Sequence, residues 1–103
     1  MAIVEVSVVP VGTGSTSLSR YIARAVKVAK ESGLKCQLTP MGTIIEGDLD
    51  EVLEVVKRMH EATFSEEVRR VVTTIKIDDR RDKRQTAEDK VRAVEESLGA
   101  RSA

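Results

Sequence analysis

Among the side chains able to do chemistry, Glu46 has the most suggestive surroundings. It stands in Met41-Gly42-Thr43-Ile44-Ile45-Glu46-Gly47, between glycines that admit a ligand or a neighbouring backbone. A carboxyl group so placed can bond a ring nitrogen and stabilise its protonated form, which is the pairing an aminopyrimidine needs. A surface carboxylate at a strand end fits the same residues. Gly12-Thr13-Gly14-Ser15-Thr16-Ser17 offers backbone N–H groups and hydroxyls to a modest anion or polar ligand. It also reads as a plain capping loop. It matches neither GxxxxGK[ST] nor GxGxxG, and it carries no Lys for nucleotide phosphates.

His60 is the single histidine and Cys36 the single cysteine. Without HExxH-type or CxxC spacing there is no metal or redox motif, and one cysteine forms no internal disulfide. His60 reads as favourably placed near a helix C-terminus, and Cys36 as a buried, inert strand residue. With no nucleophile–base pair in view, the expectation is a protein without catalytic residues, metal or cofactor. The run Asp78-Asp79-Arg80-Arg81-Asp82-Lys83-Arg84 reads either as a solvated loop of ion pairs or as contacts across an oligomer interface.

Composition narrows the function classes. Seventeen Lys and Arg offset seventeen Asp and Glu, which argues against nucleic-acid binding by bulk charge and against a polybasic membrane anchor. Only Tyr21 and Phe64 are aromatic, too few for a base-stacking platform. The N-terminal apolar run contains Glu5 and lacks a basic n-region, making it a poor signal peptide. No apolar run approaches the roughly 18 residues of a membrane span. The expectation is one soluble cytoplasmic domain over residues 1–103. Abundant charge with no Asn hints at a heat-adapted source.

The elements that must position these groups follow from periodicity. Residues 3–9 read as a strand ended by Pro10, with Val4, Val6 and Val8 on one face. Residues 18–32 read as a helix, with a stripe of Leu18, Ile22, Ala25, Val26 and Ala29, an N-cap at Thr16 or Ser17, and Gly33 as its stop. Strands follow at 34–39 and 43–47, joined through Pro40-Met41-Gly42. A second helix starts from Asp48 or Asp50 and runs to about residue 64, with Leu49, Val52, Leu53, Val56 and Met59 inward. A fourth strand spans 68–78. A third helix runs from about 86 to 98, opened by Thr86 and Asp89 as a capping box, and residues 99–103 are expected to fray. The order is α+β, a ferredoxin-like βαββαβ unit with a C-terminal helix added.

Two crossover helices cover one face of a four-stranded antiparallel sheet. The other face carries Glu5, Ser7, Gln37, Thr39, Glu46, Thr74 and Lys76 among Ile3, Val9 and Val72. It reads as a solvated face or as the seam of a homo-oligomer enclosing a small polar cavity. A buried Glu5 or Glu46 would need a partner there, and Lys76 is the nearest candidate by sheet geometry.

Three stretches carry a resemblance: Val9 to Ser19 (VPVGTGSTSLS), Thr39 to Gly47 (TPMGTIIEG) and Ile75 to Asp82 (IKIDDRRD). Together they resemble the signature segments of the YkoF-like, thiamine-binding-protein family. The resemblance implies a ferredoxin-like fold, homotetramers assembled as dimers of dimers through the sheets, and binding of thiamine or its hydroxymethylpyrimidine half without catalysis, in the cytoplasm. Carried over by position, Ser17, Ser19, Thr43 and Glu46 become the ligand contacts, Glu46 pairing with the pyrimidine ring. Met41 offers a soft apolar wall.

Overall fold

The structure, a computed structural model, describes residues 1–102, with side chains through Gly99. Four strands and three helices follow one another as β1 (Ala2–Val11), α1 (Ser19–Glu31), β2 (Lys35–Thr39), β3 (Gly42–Gly47), α2 (Leu49–Thr63), β4 (Arg70–Asp79) and α3 (Ala87–Ser102). The sheet order is β2-β3-β1-β4, with every neighbouring pair antiparallel. This is the expected α+β ferredoxin-like sheet with one extra helix.

Alternation in β1 builds the core. Ala2, Val4, Val6 and Val8 are buried toward the helices, and Ile45 joins them from β3. From above, α1 contributes Ala25, Val26 and Ala29, and α2 contributes Val52, Val55, Val56 and Met59. Each large apolar side chain so buried contributes about 1.5–3 kcal/mol. The inward face of α2 includes Val55 and leaves Leu53 at the surface. Tyr21, outside the expected α1 stripe, is 2 % exposed. Its hydroxyl accepts from Arg20 Nη2 at 2.6 Å and donates to Glu67 Oε2 at 3.2 Å, so its polar end is satisfied.

Some boundaries differ from expectation for identifiable reasons. Pro10 lies inside β1, opposite Val71, rather than ending it. The β1–β3 pairing stops at Val6–Thr43, so residues 7–11 have a neighbour only on the β4 side, and a proline without N–H is tolerated there. The N-cap of α1 is Leu18, with no side-chain cap. Two hydroxyls of the preceding loop bond the loop's own backbone: Ser15 Oγ accepts from the Ser17 N–H at 3.1 Å, and the Thr13 hydroxyl donates to the Ser15 carbonyl at 3.1 Å. Gly33, at φ +82°, does stop the helix.

The capping box of α3 is complete. Thr86 Oγ1 accepts from the Asp89 N–H at 3.1 Å, and Asp89 Oδ2 accepts from the Thr86 N–H at 3.0 Å. The helix backbone carries on past Leu98 to Ser102, beyond the expected onset of fraying, while Ala103 lies outside the described residues. Among the described residues α3 makes few contacts with the other elements, and Val91 and Val94 are exposed.

Candidate functional site

Thr43 and Glu46 lie three residues apart on β3, so strand alternation sends them to opposite faces. Thr43 pairs across β1 with Val6 on the helix side and is 3 % exposed. It lines a cavity of ≈130 Å³ together with Ile22, Val26, Leu38, Met41 and Met59. Met41 stands exposed in the β2–β3 turn. Ser19, at the start of α1, borders an adjoining apolar groove of ≈600 Å³ that shares Ile22, Val26 and Leu38. Ser17 is exposed in the loop before α1. Three of the five expected contacts, Ser19, Met41 and Thr43, therefore surround one edge of the helix layer.

Glu46 is on the opposite face and at the opposite end of the sheet. It is 7 % exposed, and its partners come from its own chain. Oε1 accepts from the Ala87 N–H at 2.8 Å, and Oε2 lies 3.7 Å from Lys35 Nζ. Lys35 is in turn 3.1 Å from Glu88. The hydrogen bond to Glu88, with further help from Glu46, raises the Lys35 amine above its ordinary value of 10.5. The first turn of α3 is thereby pinned to the open face.

Lys35 as the partner of Glu46 was legible in principle. The two-residue turn Pro40-Met41 sets Thr39 opposite Gly42, and that register carries Lys35 opposite Glu46. Lys76 lies opposite Glu5 instead. The Ala87 N–H had no signal in the sequence, because it depends on where a helix 41 residues onward comes to rest.

The open face carries the expected side chains. Register places Ile3, Glu5, Ser7 and Val9 of β1 beside Ile44 and Glu46 of β3, with Gln37 and Thr39 beyond them and Val72, Thr74 and Lys76 on the other side. At its centre Ile3, Glu5, Ile44, Lys76, Asp78 and Lys90 surround a cleft of ≈160 Å³. Glu5 is half-buried there and has no ion pair within 4 Å among the described residues. Lys90 of α3 reaches over to pair with Asp78.

The remaining candidates are structural in their contacts. His60 Nδ1 is 2.6 Å from the Thr73 hydroxyl, and its ring meets Phe64 edge-on at 5.2 Å between centroids. Cys36 is half-buried and unpaired. Among the described residues no three His, Cys, Asp or Glu side chains gather as metal ligands, and no helix is long and apolar enough to cross a membrane. The charged run makes local ion pairs: Arg80 grips Asp82 with two bonds, at 2.6 and 2.9 Å, and Arg81 bonds Asp79 at 2.9 Å.

A sequence model described as thiamine-binding protein matches residues 4–95. The chain belongs to the thiamine-binding-protein family. Among its relatives is the UPF0045 protein YqgV of Bacillus subtilis, 44% identical over 102 residues, covering 95% of this chain and 98% of that protein. Among solved structures, MJ1052 of Methanocaldococcus jannaschii superposes with a TM-score of 0.84 at 42% identity, covering 92% of this chain and 96% of that one. A Thermotoga maritima family structure, TM0486, is named for thiamine biosynthesis or salvage. It matches with a TM-score of 0.76 at 27% identity, over 90% of this chain and 97% of that one.

Proposed function

We propose that the chain is a non-catalytic cytoplasmic carrier of thiamine or its hydroxymethylpyrimidine half. The ligand is held at a seam where two copies bring their open sheet faces together, within a homotetramer built as a dimer of dimers. Family membership supports the ligand class. The observation that carries the location is the half-buried Glu5 of the central cleft, which has no ion pair among the described residues. An aminopyrimidine presents ring-nitrogen acceptors and an amino donor, and the cleft offers carboxylates and amines in alternation. At ≈160 Å³ the cleft is smaller than the roughly 300 Å³ at which ligand pockets begin. A facing copy closes and enlarges it.

The groove walled by Ser19, Met41 and Thr43 is the second position for the ligand. Glu46 is already satisfied by Ala87 and Lys35, so it serves the ligand only by giving up α3. That same observation favours the alternative reading, a structural or regulatory homo-oligomer without a small ligand.

Titration calorimetry with thiamine and with hydroxymethylpyrimidine tests the proposal. The expected result is saturable heat and a raised melting temperature. Glu5→Gln weakens binding and Thr43→Val leaves it unchanged if the cleft is the site; the reverse pattern moves the ligand to the groove. No heat and no melting shift at millimolar ligand overturns the carrier reading.

A further inference from the structure

Register sets Ile44, Glu5 and Lys76 in one row across β3, β1 and β4, and Glu46, Ile3 and Asp78 in the next. Ile3 therefore lies between two carboxylates, and the start of α3 holds both. Glu46 accepts from the Ala87 N–H, and Asp78 pairs with Lys90. The two ties differ in kind. Glu46 is buried and bonds a backbone group. The side chains of Asp78 and Lys90 are 46% and 47% exposed, and an ion pair so open to water contributes little. A lysine ammonium also sits on a flexible stem. Lys90 can leave the cleft by turning its side chain, while Ala87 and Glu88 stay on their partners Glu46 and Lys35.

Resting on the carrier reading above, we propose that Asp78 is the counter-ion of the positively charged ring of thiamine, and that Lys90 is the ammonium this ring displaces. The site then selects the whole vitamin over its hydroxymethylpyrimidine half. Charge decides the choice. Glu5 and Asp78 balance Lys76 and Lys90 in the lining of the cleft. With Lys90 withdrawn, one negative charge is in excess. The thiazolium of thiamine carries a fixed positive charge and takes the place of the ammonium without altering that balance. The hydroxymethylpyrimidine half is uncharged near neutral pH. It offers Asp78 no cation and leaves Lys90 where it is.

Glu5 completes the pair of contacts. It lies opposite Lys76, yet no ion pair within 4 Å joins them among the described residues, so its carboxylate is open to the aminopyrimidine ring. Glu5 and Asp78 are diagonal neighbours across β1 and β4, a relationship that sets residues roughly 7–8 Å apart. Two rings joined through one methylene span such a separation, with one carboxylate for each ring. Lys90 is itself part of the cleft's wall, so its withdrawal also makes room for the second ring.

Calorimetric titration of the full chain and its variants, with thiamine and with hydroxymethylpyrimidine, tests the assignment of Asp78 and Lys90. The natural chain binds thiamine the more tightly, and added salt weakens thiamine alone. Asp78→Asn weakens thiamine about tenfold and leaves hydroxymethylpyrimidine unchanged. Lys90→Met frees Asp78, keeps an unbranched side chain on the helix, and tightens thiamine about threefold. That gain vanishes when Asp78→Asn is also present, a coupling that a purely structural role for Lys90 would not produce. The salt series uses the natural chain and so needs no variant to fold. Equal affinity for the two ligands overturns the assignment and leaves the carrier reading in place. So does a preference for thiamine that Asp78→Asn does not diminish. Binding of neither ligand removes both.

Discussion

The carboxylate of Glu46 accepts a hydrogen bond from the backbone N–H of Ala87 at 2.8 Å, tying β3 to the first turn of α3. With the Lys35–Glu88 and Lys90–Asp78 ion pairs, that bond holds the start of the C-terminal helix on the sheet. It leaves Glu5, two strands in from Lys35, as the carboxylate of the open face without an ion pair among the described residues.

Glu46→Ala is therefore expected to cost about 1–3 kcal/mol, since the Ala87 N–H loses its partner. Glu46→Gln keeps an acceptor and costs less. Hydrogen exchange at Ala87 reports the difference: fast in the Ala variant, near the natural rate in the Gln variant. If Glu46 touches ligand as well, Glu46→Gln also weakens binding while the assembly stays intact.

The capping box predicts a local effect. Thr86→Ala removes the acceptor of the Asp89 N–H and costs about 1 kcal/mol of α3 stability. Because α3 makes few contacts with the other elements among the described residues, amide exchange rises within α3 while β1 and β3 keep their protection.

Gly42 predicts a steric effect. A Cβ at this position would lie 2.8 Å from the Val6 carbonyl oxygen, a backbone atom of the central strand that cannot swing aside. Gly42→Ala is expected to destabilise by about 1–3 kcal/mol, read by urea denaturation. The glycine admits a neighbouring backbone, one of the two roles its sequence context left open.

Acid sensitivity follows from Asp82. The hydrogen bonds from Arg80 pull its carboxyl from 3.8 down to about 2. Its contribution to stability is thus complete above 3.8 and is lost as the pH falls through about 2. Carbon-detected NMR titration of the Asp82 carboxyl should give a midpoint near 2, moving back toward the ordinary value in Arg80→Gln. Asp89 is lowered as well, first by the Thr86 N–H and then by its hydroxyl, so the α3 cap also loosens only below the ordinary range.

Much of the architecture was legible in the sequence because it is periodic. The β1 valines, the α1 stripe and the Thr86–Asp89 box each declare themselves within a few residues, and the two faces of the sheet follow from alternation alone. What was not legible depends on tertiary placement. Pro10 continues a strand because β3 has already ended beside it. Leu18 stands at the N-cap of α1 with no side-chain cap, one or two residues beyond the hydroxyls expected there. The site divides for a reason visible at β3: Thr43 and Glu46 belong to one motif in sequence but to opposite faces in space.

The central claim is that the sheet face opposite α1 and α2 is buried against a second copy and holds an aminopyrimidine there. Native mass spectrometry of the full chain, with and without added thiamine, tests it most directly. The account predicts an even-numbered assembly that retains ligand and loses it on Glu5→Gln. A monomer that retains none would contradict it.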